Sequence, residues 1–163
     1  MKNFSTAFTT TKTAIEAYNA IGNFRGWWSQ SIEGNTNIPG ETFFYHYKDV
    51  HLCKLQLMHA LPGKKLVYKV VDNHFNFTKH ESEWKNSSLI FEIDTNDGIT
   101  TVTFTHQGLD KTQECYHICK ESWMNYINKS LHQLIETGQG NPNPKVGEGF
   151  NAAIVKKWKL KSV

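Results

Sequence analysis

Apolar and polar positions follow a clear order of periods along this chain. Residues 2–11 alternate and are rich in Phe and Thr, which predicts a first β-strand. Thr13 with Glu16 makes a capping-box pair, and Ala14, Ile15, Ala17, Tyr18 and Ile21 then mark a short helix that Gly22 ends. Phe24, Trp27 and Trp28 follow, a cluster too apolar to be left in water. After the Pro39-Gly40 turn come strand candidates at close spacing: Thr42 to Tyr47, Val50 to Leu61, Leu66 to Val71, Ser88 to Ile93 and Thr100 to His106. Pro62-Gly63 and Asn96-Asp97-Gly98 supply hairpin turns between them. The polar stretch from Asp72 to Asn86, carrying Phe75, Phe77 and Trp84, reads as a long loop of the kind that is often functional.

Residues 112–137 read as one long helix, because Tyr116, Cys119, Trp123, Ile127, Leu131 and Leu134 recur at three- and four-residue steps. Gly138 stops it. A helix with so wide an apolar stripe must lie on something, and the inner face of the sheet is the apolar surface left over. The expected fold class is therefore α+β, of helix-grip type. A curved antiparallel sheet of about six to seven strands wraps around the long C-terminal helix, with short helices after the first strand. Residues 1–140 form this domain, and 141–163 form a Pro/Gly linker and a basic C-terminal tail. In the tail, Phe150, Ile154 and Trp158 are spaced by four, so one helical face collects them; docking of that face on the body is the expectation.

Composition narrows the function classes. Hydrophobic residues make up 39% of the chain, too many for a disordered one. No apolar run approaches the roughly 20 residues of a membrane helix. The first eleven residues lack the apolar core of a signal peptide. None of the three cysteines sits in a CxxC pair, which fits reduced thiols and a cytoplasmic location. The net charge of +3 divides into −1 over residues 1–144 and +4 over residues 145–163. The body thus lacks the basic excess that nucleic-acid binding usually requires.

Candidate chemistry is sparse. Cys115 and Cys119 share a helix face, but no further pair completes the roughly four ligands of a zinc site, so they read as small core residues. No metal and no cofactor is expected. His106, at a strand end, is either a titratable group at a cavity mouth or a packed, hydrogen-bonded histidine. His80, Glu81 and Glu83 lie together in the long loop and read as solvated charges. No nucleophilic triad spacing and no phosphate loop stands out, so no catalytic residue is assigned.

Several segments carry a resemblance. They are Phe24-Arg25-Gly26-Trp27-Trp28, Pro39-Gly40-Glu41-Thr42-Phe43, Leu61-Pro62-Gly63-Lys64-Lys65-Leu66-Val67-Tyr68, Thr103-Phe104-Thr105-His106-Gln107-Gly108-Leu109, Ser122-Trp123, and Glu136-Thr137-Gly138-Gln139-Gly140-Asn141-Pro142. In this order and spacing they resemble the SRPBCC (START/Bet v-like) superfamily, and within it the activator of heat-shock-protein-90 ATPase homologue-like family. Ser122 stands where that family often has Gly. The resemblance implies a cavity between sheet and helix for a small apolar ligand. Trp28, Tyr45, Tyr68, Phe104, His106, Trp123 and Ile127 are the lining candidates. Two alternatives stay open: a co-chaperone-like protein that docks on an ATPase chaperone, and a cyclase- or hydrolase-like enzyme using the same cavity. A homodimer is compatible with the sequence.

Overall fold

The computed structural model describes residues 3–47 and 51–144. The expected tail segment 150–163 and Val50 therefore lie outside the described residues. The strands are β1 (Phe4–Thr10), β2 (Ile32–Glu33), β3 (Thr42–Tyr47), β4 (His51–Leu61), β5 (Lys65–Phe75), β6 (Ser88–Asn96) and β7 (Ile99–Gln107). They form one open sheet of seven strands in the order β1-β7-β6-β5-β4-β3-β2, with every pairing antiparallel. Two short helices, α1 (Ala14–Gly22) and α2 (Phe24–Trp27), follow β1. The capping box forms as its sequence requires: Glu16 N–H donates to Thr13 Oγ1, and Thr13 N–H donates to Glu16 Oε2.

The long helix begins at Tyr116 rather than at residue 112, and residues 111–115 form turns instead. Its start is capped from outside, where the Glu83 carboxylate accepts the Glu114 and Cys115 N–H groups at 2.9 and 3.1 Å. Helix α3 (Tyr116–Trp123) passes into a π-helical segment (Met124–Leu131) and then into α4 (His132–Thr137). Gly138, at φ 84°, ends it in the left-handed conformation, and its N–H donates to the Leu134 carbonyl at 2.9 Å. The helix packs on the sheet through Trp123 against Phe104 at 4.6 Å and His132 against Phe8 at 4.4 Å. With this helix on an antiparallel sheet, the molecule has an α+β, helix-grip-like fold.

The strand expectations hold for β3, β6 and β7, whose inward positions alternate. Strand β5 departs from expectation. It runs on to Phe75 where a loop from Asp72 was expected, because the pairing skips Val71: Lys54 faces Asp72 and Leu55 faces Val70. This bulge resets the alternation, so Asn73 and Phe75 become the buried positions. Beyond the bulge β5 pairs only with β4, since its register with β6 ends at Lys69↔Ser88. The ends of β4 and β5 therefore overhang the sheet, and residues 76–87 fold back beside them. Phe75 N–H donates to the Glu81 carbonyl at 2.7 Å, and Asn86 N–H to the Val70 carbonyl at 2.8 Å.

At the other end of the helix, residues 139–143 turn back along the body. Asn143 forms a parallel bridge with Ser29: its N–H donates to the Trp28 carbonyl at 3.0 Å, and its own carbonyl accepts from Gln30 at 2.9 Å. Ser130 Oγ donates to the Trp27 carbonyl at 2.7 Å and accepts from Asn141 N–H at 2.9 Å. This strap ties α2 to the π-helical segment. Its close approach needs Gly140, where a Cβ would stand 2.4 Å from the Gly26 carbonyl oxygen.

Candidate ligand cavity

A cavity of about 240 Å³ lies where the overhanging ends of β4 and β5 face the first half of the helix. Its walls are mostly aromatic. Trp28 comes from the end of α2, Tyr45 from β3, His51 and Phe75 from the overhang, Trp84 from the folded-back segment, and Trp123 and Tyr126 from the helix. Tyr47, Phe77, Ile118, Cys119, Ser122 and Asn143 complete it, and Phe77 and Ile118 are exposed at the rim. Among these residues there is no Lys, Arg, Asp or Glu.

Rings stacked on rings hold the walls. Trp28 lies on Tyr45 at 3.9 Å and 13°, and Trp84 on Trp123 at 5.5 Å and 13°. Trp28 is backed by Phe24, which also meets Phe43 and Tyr68 edge-on at 5.2 and 4.8 Å. Each aromatic ring so buried contributes about 1.5–3 kcal/mol or more, which makes the walls rigid without filling the space between them.

Of the seven residues expected to line such a space, Trp28, Tyr45 and Trp123 do so. Tyr68, Phe104, His106 and Ile127 stand behind the wall, each fully buried in the core. The Tyr68 hydroxyl donates to the Thr36 carbonyl at 2.8 Å, and burial raises its pKa. The aromatic residues supplied by the 75–84 segment were legible as apolar residues in a polar stretch, but not as wall. Tyr126 was masked by a helical period that places it beside, not on, the apolar stripe.

His106 is committed to structure. An indole N–H can only donate, so Trp123 Nε1 donates to His106 Nδ1 at 3.0 Å and the imidazole proton sits on Nε2. Nε2 then donates to Ser87 Oγ at 2.8 Å, and Ser87 donates to the Trp84 carbonyl. Desolvation pulls the His106 pKa down to about 3, so the ring is neutral at physiological pH. His51 is likewise lowered to about 3, by burial first and then by His106 and His74. Its Nε2, like Trp84 Nε1, has no hydrogen-bond partner among the described residues. The sulfur of Cys119 is a weak polar neighbour of the Trp84 indole.

The loop carboxylates do not converge on the cavity. Glu83 caps the helix, Glu81 lies 3.5 Å from His74, and Glu114 accepts the Lys79 and His80 N–H groups. Cys53, Cys115 and Cys119 are buried free thiols. Among the described residues no cluster of His, Cys, Asp or Glu could hold a metal ion, and no helix is long and apolar enough to cross a membrane.

No family model and no curated protein matches the chain. Solved structures do. The Aha1 dimer from Colwellia psychrerythraea is 20% identical, with a TM-score of 0.68 over 86% of this chain and 100% of that one. DynU16, from the dynemicin biosynthetic locus, is 13% identical with a TM-score of 0.65, and the match covers 86% of this chain and 49% of that one. Protein MLL2253 from Mesorhizobium loti is 15% identical with a TM-score of 0.65, over 82% of this chain and 96% of that one. These likenesses are consistent with the helix-grip-like fold. At such identities they define the fold and nothing finer.

Proposed function

We propose that this protein is a non-enzymatic binding module for a small, largely apolar molecule held between the helix and the overhanging end of the sheet. The observation that carries this reading is the aromatic cavity itself, open on one side and lined, among the described residues, without a formal charge. Its volume of about 240 Å³ suits a molecule at the small end of the ligand range. Binding is favoured over catalysis because both nitrogens of the buried His106 are already engaged by Trp123 and Ser87. A general acid or base needs an atom within hydrogen-bond reach of its substrate.

The test is a nuclear magnetic resonance titration with naphthalene, a two-ring hydrocarbon, read at the indole N–H signals of Trp28, Trp84 and Trp123. Saturable shifts are expected at these three. Ser122→Trp, which puts a bulky ring at the half-buried mouth position, is expected to weaken binding about tenfold or more. Absence of saturable shifts in the wild type, or undiminished binding in Ser122→Trp, removes the reading.

A further inference from the structure

A second space, of about 380 Å³, adjoins the cavity. The helix supplies one wall through Ser122, Asn125, Lys129 and Gln133, positions three and four apart and so on one face. The strap supplies the other wall through Asn141 and Asn143. Hydrogen bonds hold helix and strap together along this groove. Asn143 Nδ2 donates to the Tyr126 hydroxyl at 2.7 Å, and Gln133 Nε2 donates to the Gln139 carbonyl at 2.9 Å. Between them Ser130, 4% exposed, accepts from Asn141 N–H at 2.9 Å. Ser122, Tyr126 and Asn143 line both spaces. Tyr126 marks where they meet: its ring lies edge-on to Trp28 and Trp123, each at 6.2 Å, while its hydroxyl reaches the strap. Across this boundary the lining changes from rings to amides, hydroxyls and one ammonium. That ammonium belongs to Lys129, which is exposed and stands about one helical turn beyond Tyr126.

We infer, resting on the binding reading above, that cavity and groove are two halves of one site whose ligand is a small amphiphile. Its aryl or alkyl body fills the cavity, and a single carboxylate lies in the groove beside Lys129. An apolar body gains by leaving water for the aromatic walls. A carboxylate carried in among those rings would lose its hydration at a large cost. In the groove it keeps water on one side, meets the Lys129 ammonium, and accepts from the side-chain amide of Asn125 or Asn141. The two linings therefore set the ligand's orientation as well as its class.

Two probes separate body from head: 4-(2-naphthyl)butanoate, ionised at pH 7, and its primary amide, of the same length and shape but uncharged. Their dissociation constants are compared at low salt. The acid is expected to bind the wild type about fourfold more tightly than the amide, the scale of one exposed ion pair. That preference is expected to vanish in Lys129→Gln and, for the wild type, at about 0.5 M salt. It is expected to persist in Lys69→Gln, whose charge lies on the outer face of the sheet, between the buried Tyr68 and Val70. Equal binding of acid and amide to the wild type overturns the inference and leaves the cavity reading standing. So does a preference that survives Lys129→Gln or high salt, or one lost equally in Lys69→Gln. Failure of both probes to bind the wild type removes the cavity reading as well. A magnetic resonance arm needs no variant. Naphthalene is expected to shift the indole signals of Trp28 and Trp123 without moving the side-chain amide signals of Asn125 and Asn141. The acid is expected to shift both sets, and amide signals that stay still on its binding overturn the inference.

Discussion

His51 and His106 are neutral because burial outweighs protonation, and this gives the fold an acid-side weakness. Each carries a pKa of about 3 when folded, against about 6.5 in an unfolded chain. Between these values the unfolded state binds more protons, so stability is full above about pH 6.5 and declines as pH falls toward 3. Lowering pH from 8 to 5 is expected to cost about 2 kcal/mol for each histidine, read from urea unfolding midpoints. Glu16, Asp110 and Glu114 have lowered pKa values through hydrogen bonds, and they act in the same direction at more acid pH. His51→Phe removes one of the two histidine contributions and is expected to shrink the pH 8-to-5 loss by about half. A loss unchanged by that substitution would show that His51 is already protonated in the folded protein. His106 illustrates what sequence reasoning can and cannot see. Its place at a strand end before Gly108 marks it as unusual, yet the two partners that fix its tautomer lie 17 and 19 residues away in opposite directions.

Among the elements, the strands were legible because alternation maps directly onto the inner and outer faces of a sheet. Two of the places where the structure departs from that pattern are where the backbone changes its own period. At Val71 the bulge shifts the inward set by one residue, so the regular count lost β5 after that point. In the helix, Cys119, Trp123, Ile127, Leu131 and Ile135 are all buried and all four apart. At 3.6 residues per turn a four-residue repeat drifts by about 40° at each step. A π-helical stretch has more residues per turn and brings the stripe back into line, which is why Ile135 rather than Leu134 reaches the core. A run of apolar residues at fours is therefore the available signal, and it is shared with an ordinary helical stripe. Strand β2, two residues long, is too short to carry a period at all. The π-helical segment also places Ser130 between Trp27 and Asn141. Ser130→Ala leaves the Trp27 carbonyl and the Asn141 N–H without that partner and is expected to cost about 1–3 kcal/mol. Amide hydrogen exchange should quicken at Asn141 and Asn143 in that variant; protection equal to wild type would show that the strap is held by other contacts.

At the scale of the whole molecule, the cavity exists because layers of unequal length were joined. The sheet overhangs at β4 and β5, the helix starts late, and the space between them is walled by rings that already have neighbours. Hydrophobic pattern alone separates inside from outside; it does not say which inward ring touches another and which faces a gap. For that reason Trp28, Tyr45 and Trp123 could not be told from Tyr68, Phe104 and Ile127 in the sequence. Charge is divided as unequally as length. Truncation after Pro144 changes the net charge from +3 to −1, and we expect a lower melting temperature if the apolar residues at 150, 154 and 158 dock on the body. An unchanged melting temperature would make those residues a separate appendage. The stacked indoles have a consequence of an optical kind. Trp27 and Trp28 lie 6.0 Å apart at 12°, Trp28 and Trp123 5.4 Å apart, and Trp123 and Trp84 5.5 Å apart at 13°. Four of the five tryptophans thus form one relay along which excitation migrates. Light absorbed at any of them is shared with the rings that border the cavity, so a single molecule entering it should dim or recolour the emission of the whole chain.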